Sequence, residues 1–364
     1  MSKLPTLQHD GIRLLCDGEY LAVLRRLIDD ARSRIWVSAF TFNPQPAFDG
    51  YLLVRLVARS LAKAQRRGVD VRVLIGGNAD APLAQPAGNA SGLLLLRTLG
   101  VESRMYGAAR RSSHAKYAIV DDESLVGSHN WSPRAFRDGV DTSVAVRSEQ
   151  LSARLERQFL SDWTASQTNR GYPDTSDLRR YISRTAVDAA GVPDSAERKL
   201  APDVKEIFTG GTVSLLTDAE YLPALLAAIK GASRSIHVSM FYFSYSRNPK
   251  HPARLILGAL ESAHKRGVQI KVLLDRDRPT DIYASSRINR EAAAALKAAG
   301  IKVAFDAEDR VNHSKFIAVD DQIVLIGSHN WTGNAVSSLH ELSLSISNAD
   351  LAKRCSSLVD ALVS

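Results

Sequence analysis

The chain is written twice. Leu14-Leu15-Cys16-Asp17-Gly18-Glu19-Tyr20-Leu21 returns as Leu215-Leu216-Thr217-Asp218-Ala219-Glu220-Tyr221-Leu222, and Arg67-Gly68-Val69 returns as Arg266-Gly267-Val268. The offset between copies stays at about 200 residues along the whole length. A period this long is a duplicated domain rather than a solenoid unit, so each half must bury a core of its own. At 364 residues the chain is long enough for two ordinary cores.

Within each half, apolar periodicity alternates between helix and strand. Leu21, Leu24, Leu27 and Ile28 fall at helical spacing over 20–31, and 221–231 repeats the pattern up to a glycine stop. Strands follow at 35–42 and 236–243, then helices over about 52–67 and 253–266. Each of these helices ends in Arg-Gly-Val before an apolar strand, 69–75 or 268–274. Final helices are expected over 149–163 and 348–363. Such alternation predicts an α/β fold made of two tandem, pseudo-twofold-related α-β-α sandwich lobes with mixed sheets. The expected lobes are residues 1–163 and 211–364. Residues 164–210 form a turn-rich connection, with a helix near 178–190.

One segment repeats with its chemistry intact. Residues 113–130 read SHAKYAIVDDESLVGSHN and 312–330 read NHSKFIAVDDQIVLIGSHN. In an extended run, positions i and i+2 share a face, so His114 and Lys116, and likewise His313 and Lys315, point the same way. Asp121 and Asp320 sit an odd step away, in turn chemistry before the next strand, and read as structural. Ser128 with Asn130, and Ser328 with Asn330, again share a face. Gly127 and Gly327 would let backbone approach a ligand closely. Two such copies facing each other offer two imidazoles around a cage for a tetrahedral anion. In-line displacement at phosphorus needs this: a nucleophile on one side and an acid on the leaving-group side. His129 and His329 fall on the opposite face and read as packing residues, as do Trp131 and Trp331. In the runs Phe40-Thr41-Phe42 and Phe241-Tyr242-Phe243, core packing explains alternate members, and the others could contact an acyl glycerol or a base.

The doubled pattern closely resembles the phospholipase D superfamily, whose signature is HxKxxxxD followed by GSxN, twice per active unit. The resemblance covers about 12–163 and 213–363. It implies a two-step reaction without metal or other cofactor. One histidine forms a phosphohistidine, and His114 is the expected nucleophile by family precedent. The other protonates the leaving oxygen and then activates water or an alcohol. Lys116, Lys315, Asn130 and Asn330 would hold the phosphoryl oxygens, with Ser128 and Ser328 in support. The scheme requires the pKa values of the two imidazoles to be pushed apart. In the family an acid about eleven residues past the asparagine orients a histidine, which here gives Asp141 and Glu341. Two departures stand out: Asp replaces Glu in the first half, and the first motif is one residue shorter between Asp121 and Gly127 than between Asp320 and Gly327.

Composition narrows the substrate. A formal net charge of +8 favours polyanionic partners. Arg110, Arg111, Arg276, Arg278, Arg287 and Arg290 are expected near the rim. No run approaches the length of a membrane span, and no export signal is recognisable at the N-terminus. The two cysteines, Cys16 and Cys355, suggest reduced packing residues in the cytoplasm. The sequence therefore favours a nuclease, with a phospholipase D or phosphatidyl transferase as the alternative. A catalytically inactive nucleic-acid-binding module is disfavoured by the intact motifs. With both motifs in one chain, a monomer could suffice.

Overall fold

The computed structural model describes residues 5–45, 50–76, 84–106, 112–167, 204–277 and 283–363. The expected helix near 178–190, and Arg110, Arg111 and Arg278, lie outside the described residues.

The first lobe holds strands β1 (Gly11–Cys16), β2 (Arg34–Ala39), β3 (Asp70–Ile75), β4 (Glu102–Met105), β5 (Tyr117–Val120), β6 (Glu123–Gly127) and β7 (Thr142–Arg147). Its helices are α1 (Glu19–Asp30), α2 (Tyr51–Arg66), α3 (Ala84–Thr98), the short α4 (Pro133–Arg137) and α5 (Glu149–Gln167). The second lobe repeats them as β8 (Thr212–Thr217), β9 (Ser235–Met240), β10 (Gln269–Leu274), β11 (Lys302–Phe305), β12 (Lys315–Val319), β13 (Ile323–Gly327) and β14 (Leu342–Ser347). Its helices are α6 (Tyr221–Gly231), α7 (Pro252–Lys265), α8 (Ser285–Ala298), α9 (Gly333–Ser337) and α10 (Ala349–Asp360). Helix α5 continues to Gln167, into the stretch expected to be connection.

Each lobe is built on one seven-stranded sheet, in the order β1-β7-β6-β5-β2-β3-β4 or its repeat β8-β14-β13-β12-β9-β10-β11. β2, β3 and β4 run parallel, whereas β1, β7, β6 and β5 pair antiparallel. The fold is therefore α/β with mixed sheets, in two tandem lobes. Helix α1 buries Tyr20, Leu21, Val23, Leu24, Leu27 and Ile28, the stripe its periodicity predicts. The repeated Arg-Gly-Val has a local cause. Gly68 and Gly267 sit at φ +93, beyond the reach of most side chains, and let the chain turn back into a strand. The preceding arginines cap the neighbouring helix: Arg67 Nη2 donates to the Ile28 carbonyl at 2.7 Å, and Arg266 Nη2 to those of Ile229 and Lys230 at 3.1 and 3.0 Å.

One face of each sheet packs on its own helices. The other carries the lobe's last helix, α5 or α10, and meets the partner lobe, where Ile12, Trp36, Tyr117, Val144 and Phe159 share a single core with Val213, Phe316, Leu344, Ile346 and Val359. Backbone bridges Leu7–Val213, Ser113–His340 and Val140–Asn312 stitch the lobes further. Burying both sheets against each other fixes the two motif segments face to face.

Candidate active site between the lobes

Neither motif histidine lies on a strand, although alternation around each suggests one. β5 begins at Tyr117 because the backbone just before it pairs with the other lobe instead. His114 N donates to the His340 carbonyl at 2.8 Å, and His313 N to the Val140 carbonyl at 2.7 Å. This places each histidine beside the segment that carries the other lobe's orienting acid. His114 Nδ1 lies 2.8 and 2.9 Å from the carboxylate oxygens of Glu341, and His313 Nδ1 lies 2.9 Å from Asp141 Oδ1. The acids are thus exchanged between the lobes.

The serines complete the exchange. Ser128 Oγ donates to Asp141 Oδ1 at 2.6 Å and accepts from Thr142 N at 2.9 Å. Ser328 Oγ donates to Glu341 Oε2 at 2.5 Å and accepts from Leu342 N at 3.0 Å. Both hydroxyls hold the acid of their own lobe. Asp17 and Asp218 clasp the same acids by their backbone: Asp17 Oδ1 accepts from Asp141 N at 3.1 Å and Asp218 Oδ1 from Glu341 N at 2.9 Å. Motif spacing does not point to these two aspartates. Their position in the repeated Leu-Leu-X-Asp-X-Glu-Tyr-Leu segment was the available signal.

Lys116 Nζ donates to the His114 carbonyl at 2.7 Å, and Lys315 Nζ to that of His313 at 2.6 Å. Each ammonium also sits over an aromatic face, Phe40 at 4.7 Å and Phe241 at 5.0 Å. The same rings meet His114 and His313 edge-on at 4.4 and 4.7 Å between centroids. Phe42 and Phe243 lie fully buried in the cores, so the aromatic runs divide between core and site. Asn330 Oδ1 accepts from Tyr242 N at 3.3 Å, while Asn130 Oδ1 is buried without a partner.

Burial dominates the electrostatics. It pushes the Lys116 ammonium down to about 7 and Lys315 well below the ordinary lysine range, where the Lys116 charge adds to the effect. His313 falls to about 3 through burial and the Lys315 charge, and His114 also drops well below its ordinary value, through burial and then Lys116 and Lys315. In the free protein both imidazoles are driven toward neutrality. Crowding of cations in a dry site is the reason. The two acids do diverge: burial raises Glu341, whereas at Asp141 the His313 and His129 rings outweigh burial and hold the carboxyl below its usual range.

Gly127 and Gly327 do not approach a ligand. A Cβ at either would meet the Ser143 or Ser343 hydroxyl at 2.1 or 2.2 Å, so each glycine makes room for a serine on the next strand. Those serines hold His129 Nδ1 at 2.7 Å and His329 Nδ1 at 2.8 Å. Both rings are buried and stack on Tyr20 and Tyr221 at 4.3 and 4.0 Å. Trp131 and Trp331 donate to the same two tyrosine hydroxyls at 3.1 and 3.0 Å. Asp121 sits in the turn after β5 at φ 52 and accepts from the Arg32, Ser33 and Arg34 amides; Asp320 does the same for Ser233, Arg234 and Ser235. The extra residue of the second motif is absorbed here, where Asp321 also takes positive φ. Among the expected rim cations, Arg276 pairs with Glu308 at 3.3 Å, and Arg287 and Arg290 are exposed on α8.

The family model described as "Cardiolipin synthase, PLD-like domain" matches residues 24–163 and again 225–363. The chain belongs to the phospholipase D superfamily. As a PLD-like protein it is a phosphodiesterase. It is similar to the virion nicking-joining enzyme of vaccinia virus (strain Copenhagen), 24% identical over 92% of this chain and 80% of the viral enzyme. It is also similar to cardiolipin synthase A of Pseudomonas entomophila (strain L48), 26% identical over 94% of this chain and 66% of that enzyme. The PLD fold of both lobes is seen in phosphatidylserine synthase from Haemophilus influenzae Rd KW20, which superposes with a TM-score of 0.71 at 14% identity over 100% of this chain and 89% of the synthase. Among the described residues, no helix is long and apolar enough to cross a membrane.

Proposed function

We propose that this PLD-like phosphodiesterase hydrolyses nucleic-acid phosphodiester bonds in two steps, without metal, through a phosphohistidine. Each imidazole has Nδ1 engaged by a carboxylate, which leaves Nε2 for the reaction. The Nε2 lone pair of His114 forms the bond to phosphorus as the bond to the leaving oxygen breaks, and His313 gives that oxygen its proton. Water then loses a proton to His313 and attacks phosphorus, and the P–N bond breaks. Lys116, Lys315, Asn130 and Asn330 stabilise the phosphoryl oxygens. Ser128 and Ser328 act at one remove, by holding Asp141 and Glu341. An anionic phosphodiester offsets the crowded cations and raises the proton affinity of the imidazoles, so one can take up the proton the first step spends.

The observation that carries nucleic acid over lipid is a pair drawn from both lobes. The Arg134 guanidinium of α4 lies 5.2 Å from the centre of the Tyr283 ring, and the Tyr283 carbonyl accepts from Tyr242 OH at 2.7 Å. A partly exposed aromatic beside a guanidinium suits a stacked base with its phosphate. The net charge of +8 agrees, as does the likeness to the viral nicking-joining enzyme. The second reading, a phospholipid substrate, is favoured by the family description and the similarity to cardiolipin synthase A. The free thiols of Cys16 and Cys355 suit a reducing cytoplasm, and one chain holding both motifs suits a monomer. Side-by-side assays of single-stranded DNA, duplex DNA, RNA and phospholipid vesicles, wild type against His114→Ala, test the reading. Nucleic-acid cleavage lost in the variant is expected; cleavage of lipid alone overturns it.

A further inference from the structure

Behind the exchanged acids the two lobes stop matching. His340 immediately precedes Glu341 and is buried, with 3% of its surface exposed. Its Nδ1 is hydrogen-bonded to Asp218 Oδ1 at 3.0 Å, and its Nε2 lies 3.3 Å from Asp162 Oδ2, an ion pair without hydrogen-bond geometry made from α5 of the other lobe. Asp162 is itself buried and held by Gln158 Nε2 at 3.2 Å to both its oxygens. The Tyr106 ring stacks on the imidazole, 5.9 Å between centroids and 4° from parallel. The His340 backbone runs along the first motif, donating to the Ser112 carbonyl at 2.9 Å and accepting from His114 N at 2.8 Å.

The counterpart of His340 is Val140, and that of Asp162 is Leu362. Val140 makes the same backbone contact with His313, but its side chain clamps nothing. Instead a cavity of about 160 Å³ lies there, lined by Asp17, Val140, Asp141, Arg310, Asn312 and Leu362 among others. The cation on that side, Arg310, pairs with Asp306 at 2.8 Å rather than with the segment that holds Asp141.

We propose that His340 is a positioning residue: clamped between Asp162 of the first lobe and Asp218 of the second, it locks the segment that holds both backbone and ring of His114. Among the described residues the lock has no counterpart behind His313. The lock acts by position, since the charge of its ring is offset by the two carboxylates that hold it. Burial alone would lower the His340 ring, but the two carboxylates outweigh it and raise it to about 10. The titratable groups around it are Asp162 and Tyr106 from the first lobe and Asp218 and Glu341 from the second. Tyr117 lies beyond Asp162, and His329 beyond Asp218. By fixing the His340 backbone, the lock fixes the carbonyl that accepts from His114 N and the start of the segment whose Glu341 holds the His114 ring.

This inference rests on the two-histidine reading but not on the substrate, so the probe is a small phosphodiester, bis(para-nitrophenyl) phosphate. Full-length wild type, His340→Gln and Asp162→Asn are compared for kcat and KM across about pH 5 to 10. Both variants are expected to lose about tenfold in kcat with KM little changed. Wild-type kinetics in both variants, or a loss carried by KM rather than kcat, overturns the proposal. Histidine side-chain nitrogen NMR of the wild type tests it without turnover and without relying on a variant that folds. A doubly protonated His340 ring at about pH 8 is expected, and a neutral ring there overturns the lock.

Discussion

Glu341, in the second lobe, grips the ring of His114, in the first, through both carboxylate oxygens at 2.8 and 2.9 Å. Asp141 returns the contact to His313 with one oxygen at 2.9 Å. The shorter aspartate still reaches its ring, held from behind by Ser128 and Asp17 as Glu341 is by Ser328 and Asp218. Removing either acid should therefore impair the histidine of the opposite lobe. In Glu341→Gln the ring signals of His114 should change tautomer by NMR while those of His313 stay. In Asp141→Asn the pattern should reverse. A fall in kcat of about a hundredfold or more is expected for each.

Both imidazoles are required by the two-step scheme. His114→Ala and His313→Ala should each reduce turnover by about ten-thousandfold or more, since groups that act as a unit fail together. Substantial activity in either variant would exclude a phosphohistidine relayed between the two.

Metal should be dispensable. Among the described residues no group of histidine, cysteine and carboxylate side chains is arranged to hold an ion. Full activity after dialysis against excess EDTA is the expected result, checked by restoring divalent ions one at a time.

Asp121 and Asp320 should matter to stability rather than chemistry. Alanine at either strands three backbone amides and should cost about 1–3 kcal/mol, with kcat kept. Burial would raise both carboxyls, but their hydrogen bonds outweigh it and hold them below the ordinary 3.8. Their contribution is thus full above about pH 4 and is lost as pH falls through the lowered folded value. Solvent screening at these half-exposed turns keeps it small. Acid titration of thermal stability should show a shallower fall in Asp121→Asn than in wild type.

His340 has the opposite sign. Its folded value of about 10 stands above the ordinary 6.5. Its contribution to stability is full below pH 6.5 and declines as pH rises toward 10. Melting temperature should drop over that window in wild type and change less in His340→Gln.

Much of this was legible in the residues. The repeat announced two lobes and the element order, because periodicity reports what each strand or helix buries. The family resemblance, counted from Asn130 and Asn330, led to Asp141 and Glu341. Which imidazole each acid serves was not legible, since spacing along one strand says nothing of the lobe across from it. The glycines misled for a related reason: close approach was correctly read, but the neighbour is a serine on the adjacent strand. His340 and Asp162 left no signal at all, being single residues without a copy in the other half.

The exchange of acids has a consequence for how such a chain can change over time. Two identical halves trading carboxylates are bound to an equal bargain, in which any substitution strikes both catalytic positions at once. Joined in one polypeptide, each half mutates alone. Aspartate facing glutamate, and valine facing histidine, are what that freedom looks like: a symmetric assembly drifting into a division of labour.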